Sequence, residues 1–122
     1  MNDIQHDMAE MDHEAHEEVE EFLDTMMEIY DELDGAKKYI KAAFRLHDSD
    51  RAAASAMATM SGQESGHAEV LAGNATRMLS RMEEAHHPCA GVLKRVWTHV
   101  YGRQMEYAAW VKQMQAQYRT MQ

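Results

Sequence analysis

At 122 residues, with 45% apolar and 27% charged side chains, the chain is long enough for one hydrophobic core and too short for two. Its net charge of −9 is the wrong sign for the basic face that phosphate binding needs, so nucleic acid is not an expected partner. No apolar run approaches the roughly 20 residues that span a membrane, which leaves no membrane role to expect.

The first stretch, Met1 to Glu21, is acidic and His-bearing, unlike a secretory signal with its basic start and apolar centre. The single cysteine, Cys89, cannot close an intrachain disulfide, so the expected location is cytoplasmic. Six glycines and one proline leave few places to break a helix. A single helical domain over 1–122 is therefore expected, with helices at about 8–46, 51–85 and 89–120.

In the first of these, Met8, Met11, Ala15, Val19, Phe22, Met26, Ile29, Leu33, Ala36, Ile40 and Ala43 recur in steps of three or four. An acidic start and a basic end at Lys37, Lys38, Lys41 and Arg45 suit the helix dipole. His47-Asp48-Ser49-Asp50 reads as a tight loop that caps the next helix.

The second helix carries the stripe Met57, Met60, Glu64, His67, Leu71, Asn74, Met78 and Met82, and ends at His86-His87-Pro88. The third repeats Leu93, Trp97, Val100, Gln104, Tyr107, Val111, Met114, Tyr118 and Met121. Long helices joined by short loops lie antiparallel, so the expected fold is an all-α, antiparallel bundle of three long helices. Such a unit is thin, and its 12 methionines make a soft interior. It would bury more surface by pairing with a copy of itself, so a homodimer or larger homo-oligomer is expected.

Charge is unevenly spread. Asp3 to Asp34 holds 14 of the 21 acidic residues, whereas Ala90 to Gln122 carries five basic residues and only one acid, Glu106. This fits either an acidic helix beside a basic one or an acidic mouth that attracts metal.

The second stripe contains the anomaly. Glu64 and His67 fall in step with apolar residues, where a carboxylate is costly to bury unless it is paired or bound to a metal. Three residues apart, they lie one above the other on one helix face. Glu-x-x-His is the arrangement by which one helix gives a bridging carboxylate and a terminal imidazole to a two-metal centre. The bland alternatives are a buried Glu–His ion pair or an edge facing water. Gly62 and Gly66 beside them suggest a close neighbour or room for ions. On the first helix Glu32 sits at one edge of the apolar stripe, together with Glu28, Gly35 and Tyr39.

Glu32-Leu-Asp-Gly-Ala-Lys-Lys-Tyr39, followed 32 residues after Glu32 by Glu64-Ser-Gly-His67-Ala, resembles the ferritin-like superfamily. The pattern is most similar to the short encapsulated ferritins and to bacterial or phage-borne ferritin-like proteins. The resemblance runs from about Glu28 to Glu84. It implies that Glu32, Glu64 and His67 bind iron, with Tyr39 nearby, and that two subunits together complete a di-iron ferroxidase site. The counting agrees. A full site takes a Glu from each of two helices and Glu-x-x-His from two others, and a two-fold dimer supplies double what one chain carries. The third helix departs from the encapsulated ferritins, and no Gly- and Leu-rich cargo tail follows it, so encapsulin loading is not expected.

Other candidates are weaker. His99 and Glu106 on the third helix could approach a metal, and so could His6, His13 and His16 among the N-terminal acids. His86, His87 and Cys89 offer three ligands in one loop without a fourth at finger-like spacing. The carboxylate-rich set suits iron, as two ions per site, or manganese, with zinc also able to occupy it. The expected function is iron binding with candidate ferroxidase activity. The rival is a non-catalytic helical interaction or scaffold protein.

Overall fold

The computed structural model describes the backbone from residue 2 and the side chains from residue 15 onward. Three helices make up the described chain: α1 (Asn2–Leu46), α2 (Arg51–Glu84) and α3 (Ala90–Met121). Their bounds in the two loops lie within one residue of those read from the periodicity. Among the described residues, no helix is long and apolar enough to cross a membrane.

The α1–α2 loop closes as its residues dictate. Asp50 caps α2 by accepting from the Ala53 amide at 3.0 Å. The α2–α3 turn is tighter. The His87 amide donates to the Met82 carbonyl at 2.8 Å and the His86 amide to Glu83 at 3.1 Å. This is the paired closure that ends a helix through one left-handed residue. That residue is His86, at φ 54°, where glycine is the usual occupant. Pro88 then prevents α2 from continuing.

Neighbours run in opposite order along α1 and α2: Ala43 packs in one cluster with Ala54, Ala36 meets Ser61, Glu32 meets His67, and Thr25 meets Met78. Along α1 and α3 they run in the same order, from Phe22 with Trp97 through Asp34 with Tyr107 to Phe44 with Tyr118. Lys94–Glu83 and Lys112–Glu69 tie α3 to α2.

On α1 the buried residues from Phe22 to Ala43 are those of the apolar stripe. On α2 the buried face is different from the expected one. Ala54, Ser61, Ser65, Ala68, Leu71, Ala75, Leu79 and Met82 are buried, while Met60 and His67 are exposed and Met57, Glu64, Asn74 and Met78 lie between. Small residues let α1 approach closely here, so the methionine, Glu64 and His67 stripe is turned to the edge of the α1–α2 contact.

The core falls into two apolar clusters. The larger runs from Phe22 to Leu33 with Ala68 to Met82 and Ala90 to Trp97. The smaller holds Ile40, Ala43, Ala54 and Tyr118. Between them lies a polar layer, in which Ser61 Oγ donates to the Ala36 carbonyl at 2.7 Å and Gln115 Nε2 donates to Ser61 and Ser65 at 2.9 and 3.2 Å.

Candidate metal centre

Glu32, Glu64 and His67 each immediately precede a residue that locks its helix into the core, namely Leu33, Ser65 and Ala68. One residue is about 100° of helix, so all three side chains stand at the rim of the α1–α2 contact. There Glu32 Oε1 lies 3.0 Å from His67 Nδ1, with the Glu32 side chain 24% and the His67 side chain 56% exposed. Glu64 is half-buried. Its carboxylate faces the backbone of Gly35, where an added Cβ would stand 3.7 Å from Oε2. Glu32 and His67 thus meet across the contact, and Glu64, one turn before His67, lies against Gly35.

At that distance the two groups are in close polar contact, and the imidazole with the carboxylates of Glu32 and Glu64 are the groups that could hold a metal. The donor chemistry fits a hard or borderline ion such as iron or manganese. Among the described residues, no group of three or more His, Cys, Asp and Glu stands together well enough to hold an ion within one chain.

The neighbours of these residues sort clearly. Glu28 is exposed and lines a shallow acidic groove with Glu17, Glu20, Glu21, Asp24 and Thr25, one turn before Glu32. Tyr39 is half-buried on the same edge of α1. Glu106 instead lines a crevice between α1 and α3 with Tyr30, Lys37, Arg103, Tyr107 and Trp110, and His99 is exposed on α3. The structure does not bring either to Glu32.

Gly62 and Gly66 meet nothing within 4 Å of an added Cβ, so neither marks a close approach within the chain. His16 pairs with Glu20 at 3.0 Å, while the side chains of His6 and His13 lie outside the described residues. His87 is occupied at both ring nitrogens: Nδ1 accepts from the Cys89 amide at 3.0 Å and Nε2 faces the Ala15 carbonyl at 3.2 Å. No lone pair is left there for zinc, and the imidazole instead pins the α2–α3 turn to α1.

In the α1–α3 crevice, Tyr107 donates its hydroxyl to Asp34 at 2.5 Å, and Lys37 stands over the Tyr107 and Trp110 rings at 5.9 and 5.5 Å. Burial first, then the hydrogen bond and charge of Asp34, push the Tyr107 phenol up to about 12 from 10.0.

Comparison with protein-family models, with curated proteins and with solved structures finds no match to this chain. Only the ligand pattern and its geometry bear on function. In the sequence, Ser61 and Ser65 count among the small residues that crowd around Glu64 and His67. Gln115, which donates to both hydroxyls, has no counterpart there.

Proposed function

We propose that this chain is an iron-binding, ferritin-like protein, an antiparallel three-helix unit whose two-metal site is completed by a second copy across a two-fold axis. The observation that carries this is the meeting of Glu32 with His67 at 3.0 Å across the α1–α2 contact, with Glu64 one turn before His67 and against Gly35. Two copies facing one another there would supply four carboxylates and two imidazoles, the ligand count of a ferritin-like di-metal centre. The half-buried Met57 and Met78 and the exposed Met60 on the same α2 stripe give that edge an apolar surface to pair with its copy.

Fe(II) is the substrate of the candidate ferroxidase reaction, giving its electron to O2 or peroxide and leaving as Fe(III). The carboxylates favour that direction by stabilising the higher charge. Glu32, Glu64 and His67 would hold the ions, and Tyr39 would stand nearby.

The test is oxidation of Fe(II) in air by apo protein purified without a His tag. It should exceed oxidation in buffer and saturate near one iron per chain, and Glu32→Ala should slow it strongly by removing two of the four carboxylates. Iron that binds but oxidises no faster than in buffer would leave a metal-binding bundle without ferroxidase activity. A second reading, a non-catalytic interaction protein, draws on the exposed Val96, Tyr101, Met105 and Trp110 of α3. Absence of any metal binding dependent on Glu32 and His67 would favour it.

A further inference from the structure

The polar layer behind the candidate centre has a donor stoichiometry of its own. Ser61, fully buried, spends its proton on the Ala36 carbonyl at 2.7 Å. Ser65 spends its proton on the Gly62 carbonyl at 3.1 Å. Both hydroxyls therefore offer only lone pairs to α3, and Gln115 meets them with the two N–H groups of one amide, at 2.9 and 3.2 Å. The result is a chain of hydrogen bonds from α3 through α2 to the backbone of α1. It ends at Ala36, next to Gly35, which the Glu64 carboxylate faces, and four residues from Glu32.

The residues in this layer are too small to set helix spacing by volume. Gly35, Ala36, Ser61 and Ser65 leave the hydrogen bonds to do so, between two apolar clusters that grip the hairpin above and below. We infer that Gln115 is a positioning residue for the metal centre: from α3 it holds α1 and α2 at the separation that places Glu32 and Glu64 for a shared ion. The inference rests on the metal-binding reading. A centre loses affinity when its ligands drift by fractions of an ångström, and removing a residue that orients ligands costs about 10–100-fold.

Gln115→Glu is the informative variant, since it keeps the shape and removes both donors. A carboxylate there can only accept, so the Ser61 hydroxyl must leave the Ala36 carbonyl to meet it. By charge alone the variant should tighten cation binding. Gln113→Glu, on the exposed side of α3, adds the same charge without touching the layer. Gln115→Lys restores a donor while adding a charge that opposes the metal.

Two measurements decide. The first is Co(II) titration followed by its absorption spectrum, alongside thermal unfolding of each apo protein. Gln115→Glu should bind about tenfold more weakly than wild type or worse. Gln113→Glu should bind as tightly as wild type or more so, and Gln115→Lys should recover most of the affinity. The second needs no metal. Spin labels at Lys38→Cys and Gln63→Cys, in a Cys89→Ser background diluted with unlabelled protein, report the α1–α2 distance. Gln115→Glu should broaden or lengthen it.

An unchanged distance overturns the role of Gln115 whether or not Co(II) binds. A changed distance with unchanged Co(II) affinity overturns its link to the centre. Wild-type protein that binds no Co(II) through Glu32 and His67 overturns the metal reading, and the distance measurement still judges the tie.

Discussion

Glu32 Oε1 and His67 Nδ1 stand 3.0 Å apart across the α1–α2 contact, although His67 is more than half exposed. An exposed pair of this kind adds little to stability, a median of about 0–1 kcal/mol. Glu64, three residues before His67, is half-buried against a glycine and costs free energy to desolvate. The arrangement is therefore poorly explained as a device for holding the two helices together. The apolar clusters and the Ser61–Ala36 hydrogen bond do that.

This gives a direct prediction for Glu64→Leu combined with His67→Met. The double variant should abolish binding of Fe(II) or Co(II) by direct titration. Its apo stability in urea should be unchanged or higher, because a partly desolvated carboxylate is replaced by apolar contacts. A large loss of apo stability would mean that the pair is structural.

His86 offers a test of the turn that launches α3. It holds φ 54° at the position where helices ordinarily end on glycine. His86→Gly should relieve the left-handed cost and stabilise the protein by about 0.5–1 kcal/mol, read from chemical unfolding. Metal binding should not change, because His86 is remote from Glu32 and His67 in both sequence and contacts. Destabilisation would show that the imidazole contributes more than its backbone strain costs.

Tyr107 makes stability depend on pH at the alkaline end. Its phenol rises to about 12 when folded, from 10.0. A raised value means that the folded state holds the proton more tightly, so this contribution is complete below pH 10 and is lost as pH climbs toward 12. Wild-type protein should therefore lose stability between pH 10 and 12 more steeply than Tyr107→Phe, in unfolding followed by circular dichroism. At pH 8 the variant should be the less stable of the two, by about 0.5–1.5 kcal/mol for the lost hydrogen bond to Asp34. Parallel pH profiles would remove Asp34–Tyr107 as an energetic link between α1 and α3.

Three helices and both loops were legible because each loop announces itself, Asp50 as a cap and Pro88 as a stop. The buried face of α1 was legible too, since Phe22, Ile29, Leu33 and Ile40 are large and fall on one side. On α2 the same rule misplaced the core. Weighting by size and hydrophobicity selects Met60 and Met78 and passes over Ser61, Ser65 and Ala75, whose smallness is what admits α1. Spacing puts Glu32 at the edge of one stripe and Glu64 with His67 on one face of the next helix, and the resemblance alone joined the three. Gln115 could not be read at all, because a hydrogen bond from one helix to hydroxyls on another leaves no period in the sequence. Nor could the strained His86, which stands where composition would lead one to seek glycine or asparagine.

The misplaced stripe itself leads to the last prediction. Met57, Met60, Glu64, His67, Leu71, Asn74, Met78 and Met82 form a coherent face of α2, yet only Leu71 and Met82 are buried in one chain. A period maintained over so many turns without being buried within the chain is what a face shared with a copy would show. Met60 is the sharpest probe, being 37% exposed and one turn from Glu64. Met60→Glu leaves the clusters within a chain untouched, so helical content by circular dichroism should be preserved. Placed against its symmetry mate, the new carboxylate should shift the protein from dimer to monomer in sedimentation at micromolar concentration, and metal binding should fall with it. A Met60→Glu protein that remains a dimer with intact metal binding would move the interface elsewhere. A wild-type monomer that binds two metals per chain would remove the shared site altogether, because one chain would then have to supply every ligand.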